Sequence, residues 1–204
     1  MKAILIEDRP DRQKLFLSDI ENGIEQLRNL PDLAMPSGQD CRDLIAAIND
    51  ENFNADDLNL IMVHKSSLTS VGINFLNKLS KEKVTLVFFS GNIDQLIYDN
   101  KNIECLHINS KDFYSTRLIP FIKDFINDMK PHILELKNKD WKLSYFFLLR
   151  QLIQNRMIEN DYEEKQSITL RIEKIKTILD IKEKEDSDIL DFISKETEKI
   201  INTL

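Results

Sequence analysis

Short apolar runs recur along the first part of the chain, and segments with helical apolar spacing separate them. A run of four to six apolar residues that ends in polar residues is typical of a strand buried on both faces. Apolar residues three and four positions apart instead indicate a helix with one buried face. The strands predicted in this way are residues 3–6, 33–35 (as a short edge strand), 58–63, 84–89 and 103–108.

Segments with helical apolar spacing lie between these runs, so predicted strands and helices alternate along the chain. Strands that alternate with helices predict a parallel sheet covered by helices on both faces, which is an α/β fold. We therefore expect an α/β domain over residues 1–129. The predicted helices are 11–30 (loosened near Gly23), one that carries Ile45 and Ile48, 71–79, 93–98 and 118–129.

The pattern changes after Lys130-Pro131, where glycine and further proline are absent from the sequence. Residues 141–158 are apolar on nearly every helical face, which indicates a helix buried on more than one side. These features predict a second, all-helical domain over residues 130–204. Isoleucines and a leucine at steps of four, three and four then form a heptad-like seam, which allows either self-association as a homodimer or packing within one chain: Ile168, Ile172, Ile175 and Leu179.

Composition narrows the classes of protein to consider. The 204-residue chain has a net charge of −7, which argues against generic binding to nucleic acid or to an anionic membrane surface. No apolar run approaches the roughly 18 residues of a membrane span, and the N-terminus lacks a secretory signal pattern. Cys41 and Cys105 are isolated, without the spacing of a metal site or a disulfide framework. We therefore expect a cytoplasmic location.

Polar side chains follow the predicted strands where each strand ends. Glu7 and Asp8 follow the first strand, His64 follows the third, Ser90 follows the fourth and Lys111 follows the last. Right-handed crossovers bring the carboxyl ends of parallel strands to one edge of the sheet, which is where α/β proteins bind ligands. The sequence therefore places its candidate chemistry in one crevice.

Residues 1–128 resemble the receiver domain of two-component response regulators. The segment ILIEDRPD at 4–11 is similar to the first strand and acidic pair of that family, Ser90-Gly91 to its phosphoryl-contacting Ser/Thr, and Lys111 to its lysine. The resemblance implies a flavodoxin-like, five-stranded parallel sheet. It also implies a phosphorylation site that uses Mg²⁺ and an aspartate at the end of the third strand.

His64 stands where the receiver family has that aspartate. An aspartyl phosphate needs a carboxylate nucleophile, and Mg²⁺ prefers oxygen ligands to imidazole nitrogen. We therefore expect no cofactor and a degenerate receiver site of Glu7, Asp8, His64, Ser90 and Lys111, with the acidic pair neutralised by Lys111 and His64. Glu7 and Asp8 remain the candidate ligands should Mg²⁺ bind. A pH-sensitive His64 and phosphorylation of His64 itself are open alternatives.

The resulting prediction is a pseudo-receiver, not an enzyme, that regulates through protein–protein contacts without phosphorylation. In the receiver family the signalling face corresponds here to residues 93–98, 103–108 and 118–129. Either this face or the helical domain would bind a protein partner or a second copy.

Two alternatives belong to other classes. The first is a DNA-binding transcriptional regulator of the response-regulator type, although the helical part is nearly neutral and its basic residues alternate with acidic ones. The second is a metal-dependent phosphohydrolase or nuclease that uses Glu7 and Asp8. That enzyme would need a further carboxylate at the strand ends, for which Asp94 and Asp112 are the candidates.

Overall fold

The structure is a computed structural model, and it describes most of the chain in two compact units. Unit 1 is Met1–Lys137 and unit 2 is Asn138–Leu204, whereas the sequence pattern placed the boundary at 129/130. The described residues are 2–18, 20–82, 84–93, 97–99, 102–127, 133–136, 141–181 and 185–201.

Unit 1 is built on a six-stranded sheet in the order β2-β1-β3-β4-β6-β5. The first five strands in that order are parallel, and they follow the flavodoxin-like order 2-1-3-4-5 with β6 in fifth place. The α/β fold class predicted from the sequence is therefore confirmed. The strands are β1 Ala3–Ile6, β2 Leu33–Ala34, β3 Leu60–His64, β4 Thr85–Ser90, β5 Ile97–Asp99 and β6 Asn102–Asn109.

Helices and short turns connect the strands of unit 1. The predicted helix over 11–30 is two helices, and Gly23 begins the second of them. Pro10 opens the first, where its missing N–H costs little. The helices are α1 Pro10–Phe16, α2 Gly23–Arg28, α3 Gly38–Asn49, α4 Ser70–Glu82, α5 Ser110–Phe113 and α6 Leu118–Ile126, with 3₁₀ turns at Lys65–Ser67 and Ile133–Leu136.

The helix predicted over 93–98 is wrong where the structure describes it. Ile97–Asp99 is β5, which pairs antiparallel with β6, while residues 94–96 lie outside the described residues. Ile97 and Tyr98 belong to the β-branched and aromatic types that favour strands, and pairing with β6 satisfies an edge that would otherwise be open. The predicted signalling face therefore contains a strand where a helix was expected over 93–98.

Unit 2 consists of α7 Trp141–Ile158, α8 Tyr162–Ile178 and α9 Asp186–Ile201. Asp161 caps α8, because its Oδ1 accepts the Glu164 N–H at 2.8 Å. Ile168, Ile172 and Ile175 of the heptad-like seam are all buried inside a single copy of the chain. The seam therefore packs within one chain. Among the described helices, none is both long and apolar enough to cross a membrane.

Candidate functional site

Two neighbouring strands carry the site at their carboxyl ends. Ile6 of β1 pairs with Val63 of β3, so Glu7 and Asp8 leave the sheet beside His64. Glu7 is 8% exposed and His64 is 1% exposed, whereas the Asp8 side chain is 28% exposed. The structure thus brings together an acidic pair and an imidazole, two of the three groups being buried.

The imidazole of His64 is held at both nitrogens. Its Nδ1 lies 2.5 Å from Asp8 Oδ1 and 3.6 Å from Glu7 Oε1. A carboxylate can only accept, so Nδ1 carries the hydrogen that it donates to Asp8. Its Nε2 lies 2.9 Å from the Ser66 hydroxyl, and the Ser67 hydroxyl donates to the His64 carbonyl at 2.6 Å. The position of the ring and the hydrogen on Nδ1 are therefore set by its neighbours.

Glu7 has its own partners. Tyr114 donates its hydroxyl to Oε2, and the Arg9 N–H donates to Oε1, each at 2.9 Å. Burial raises the pKa of the Glu7 carboxyl above its ordinary value of 4.5, although His64 and these two donors oppose the shift. Burial and the neighbouring Glu7 charge also raise the pKa of Tyr114 well above 10.0, so Tyr114 remains a donor.

Aromatic rings close the apolar side of the site. Phe89, at 0% exposure, stacks on His64 with ring centroids 5.6 Å apart. The same ring stacks on Phe113 at 4.1 Å with an interplanar angle of 3°, and Tyr114 meets it edge-on at 5.5 Å. These rings exclude water from one side of the hydrogen-bonded cluster of Glu7, Asp8 and His64, which strengthens the electrostatic interactions there.

Ser90 and Lys111 differ in how they relate to this cluster. Ser90 is buried at the end of β4, where its hydroxyl accepts the Asn92 N–H at 3.4 Å. Lys111 lies in the first turn of α5, and its side chain is exposed. In the part of the chain that the structure describes, Lys111 forms no salt bridge. Among the described residues, Lys111 is therefore not paired with the acidic carboxylates as expected, whereas His64 Nδ1 hydrogen-bonds Asp8.

A cavity of about 430 Å³ opens beside the acidic pair, and Glu7, Asp8 and Cys41 contribute to its lining. The donor set does not fit the Mg²⁺ that the receiver resemblance implies. The third group beside Glu7 and Asp8 is the His64 nitrogen, and hard Mg²⁺ selects oxygen ligands in octahedral geometry. The site therefore lacks both the ligand set and the nucleophile of a receiver.

Sequence reasoning missed Tyr114, Ser66 and Phe89 as parts of the site. Ser66 stands two residues after His64 in a polar stretch, which was a usable signal for a partner of the ring. Phe89 was placed in a buried strand but without its contact to His64. Tyr114 reaches Glu7 from 107 positions away, and no local pattern indicates that contact.

Replacing Glu7 by glutamine should change how stability depends on pH. The folded state raises the pKa of Glu7, so it holds this proton more tightly than the unfolded chain does. The stability that the protonated Glu7 carboxyl contributes is fully present below its pKa in the unfolded chain. It is lost as pH rises through its pKa in the folded protein. The wild-type free energy of unfolding, minus that of Glu7→Gln, should therefore fall as pH rises above the ordinary carboxyl pKa of 4.5.

Urea unfolding at several pH values measures this difference. Glu163→Gln is the matched control, because Glu163 is exposed on α8 and the same substitution there removes a carboxylate that folding does not bury. A wild-type advantage that grows with rising pH would contradict burial as the dominant influence on Glu7.

Comparison of the chain with protein-family models, with curated protein sequences and with solved structures finds no match.

Proposed function

We propose that the protein is a regulatory pseudo-receiver that acts through protein–protein contacts and does not depend on phosphorylation. The observation that carries the proposal is the bond of 2.5 Å between His64 Nδ1 and Asp8 Oδ1. It puts an imidazole where a receiver presents its phosphoacceptor carboxylate, and it occupies the acidic pair from inside the protein. The cytoplasmic location belongs to the same proposal.

The flavodoxin-like strand order supports the relation to receivers at the level of the fold. Fold alone does not define function, so the proposal depends on the site. An aspartyl phosphate needs an oxygen nucleophile, and among the described residues Glu7, Asp8 and His64 form the cluster at this edge. Because His64 is bonded on both sides, the site favours one fixed state over a phosphorylation-driven change between two states.

A groove on the exposed face of α8, bordered by two large exposed side chains, supports the protein-contact part of the proposal. Tyr162 is 71% exposed and Leu170 is 73% exposed, and both border this groove. Large apolar side chains grouped on a surface favour contact with another protein. The partner is a protein of another kind or, as the alternative, a second copy of this chain.

Charge pairing on α8 favours this proposal over DNA binding. Arg171 pairs with Glu164 at 3.0 Å, and Lys176 pairs with Glu173 at 3.0 Å while being 7% exposed. Positive charge that is already paired contributes less to the neutralisation of phosphates. The enzyme alternative lacks a further carboxylate in the described cluster, since Asp112 is exposed and Asp94 lies outside the described residues.

Incubation with a small phosphodonor and Mg²⁺ tests the proposal. Intact-protein mass spectrometry should show no added phosphoryl group, because no carboxylate nucleophile stands at the end of β3. A receiver with its aspartate intact, treated in parallel, verifies that the donor is active. A stable phosphoryl adduct that disappears in His64→Asn would overturn the proposal.

Sedimentation over a range of concentrations tests the homodimer alternative. A mass that rises from one copy to two, and that falls back in Leu170→Glu, would support self-association through the α8 groove. A single-copy mass at every concentration would remove the homodimer and leave a different protein as the partner.

A further inference from the structure

We infer that Glu7, Asp8 and His64 form a binding site for one divalent transition-metal ion of the Zn²⁺ class. One ligand atom from each residue lies within 4.8 Å of the other two. The inference concerns metal binding alone, and it holds or fails independently of the regulatory role proposed above.

Replacement of a carboxylate by an imidazole changes which metal fits. Zn²⁺ accepts nitrogen and carboxylate oxygen together, commonly as three protein ligands with one position left open. Mg²⁺ needs oxygen ligands. The set Glu7, Asp8 and His64 therefore disfavours Mg²⁺ and matches a borderline metal, which is the opposite selectivity to that of an all-carboxylate site.

The distances are close to those that a tetrahedral ion needs. Bonds of about 2.0–2.2 Å place neighbouring ligand atoms about 3.4 Å apart. The separation of His64 Nδ1 and Glu7 Oε1 is 3.6 Å, which already suits such an ion. Asp8 Oδ1, now 2.5 Å from Nδ1, is too close for two ligands of one ion and must withdraw. Its side chain is partly exposed, so it has solvent to move into.

The two buried ligands, His64 and Glu7, also have the outer partners that metal ligands commonly have. Metal-bound histidines usually hydrogen-bond through the second ring nitrogen, and here His64 Nε2 lies 2.9 Å from the Ser66 hydroxyl. Tyr114 holds Glu7 by its other oxygen, Oε2, which leaves Oε1 toward the imidazole. The orientation of the buried ligands is therefore set before any metal arrives.

Metal binding exchanges a hydrogen for the ion at Nδ1. The hydrogen now donated to Asp8 leaves, either to solvent or by tautomer change to Nε2, where it is donated to Ser66. Two of the three ligands, Glu7 and Asp8, line a cavity of about 430 Å³, which is the side from which we expect an ion to approach. No redox change or further reactant is required.

Isothermal titration calorimetry with Zn²⁺ and with Mg²⁺ on the metal-free full chain tests the inference. The wild type should bind one Zn²⁺ per chain and show no Mg²⁺ heat at the same concentrations. Zn²⁺ should also raise the melting temperature, because an ion that binds only the folded state stabilises it. Affinity for Zn²⁺ should fall at least about tenfold in Asp8→Asn and in His64→Asn.

His107→Asn is the matched control, because His107 lies outside the three-residue set, and this variant should bind Zn²⁺ as the wild type does. Asp8→Asn keeps the test valid if the buried His64 variant does not fold, since Asp8 is partly exposed. Absence of Zn²⁺ binding, equal affinity in Asp8→Asn, or a Mg²⁺ affinity matching that for Zn²⁺ would each overturn the inference. None of these results bears on phosphodonor labelling, so the two proposals fail separately.

Discussion

Replacing His64 by alanine should lower the free energy of unfolding by about 4 kcal/mol at neutral pH. His64 is 1% exposed, and its Nδ1 lies 2.5 Å from Asp8 Oδ1 and 3.6 Å from Oε1 of the buried Glu7. Removal of one member of a buried pair leaves the other without compensation, and loss of the ring also leaves a cavity beside Phe89. Urea unfolding in the presence of a chelator, followed by circular dichroism, measures the change.

Lys111→Ala is the control for that experiment. Lys111 was predicted to belong to the same site, but its side chain is exposed, so the variant should stay within about 0.5 kcal/mol of wild type. If His64→Ala lowers the free energy of unfolding by less than about 1 kcal/mol, the contacts among Glu7, Asp8 and His64 do not stabilise the fold as expected. A large loss in Lys111→Ala would mean that lysine supports the acidic pair after all.

Replacing Phe89 by alanine should lower the free energy of unfolding by a similar amount, about 4 kcal/mol. Phe89 is fully buried, and its ring contacts His64, Phe113 and Tyr114. Two contributions to the free energy of unfolding are lost. One is the favourable burial of the ring away from water, and the other is the packing that is replaced by an empty cavity. Phe113 and Tyr114 also contact each other edge to face, so they have little freedom to collapse into the space.

Phe147→Ala removes the same side chain from an exposed place, since Phe147 is 54% exposed on α7. Its effect should lie within about 0.5 kcal/mol of wild type. Hydrogen–deuterium exchange assigns the loss in Phe89→Ala, because amides of β3 and β4 should exchange faster while those of α7 should not change. A loss in Phe89→Ala no larger than in Phe147→Ala would contradict the packing described here.

The strands buried on both faces could be predicted from the sequence, because each is a short and continuous run of apolar residues. The run VTLVFF predicted residues 84–89, and β4 is Thr85–Ser90. The prediction failed at β5, where three residues are too few to distinguish a strand period from a helix period. Antiparallel pairing with β6 decides the conformation there, and that pairing is not encoded in local spacing.

The sequence predicted those members of the candidate site that directly follow a strand. Glu7, Asp8 and His64 follow adjacent parallel strands, so topology alone brings them together. The role of Lys111 was not predictable in this way, because a residue just after a strand can direct its side chain into the crevice or to solvent. Tyr114 depends on the packing of a distant segment against β1, which no spacing rule supplies.

The two edges of the sheet restrict how a partner can attach. One edge is β2, with two residues, and the other is β5, with three. Edge strands this short offer few free N–H and C=O groups to an incoming strand, which protects against aggregation by strand addition. A peptide that extends the sheet is therefore a poor ligand for unit 1. We expect partners to recognise the side chains of helices and loops.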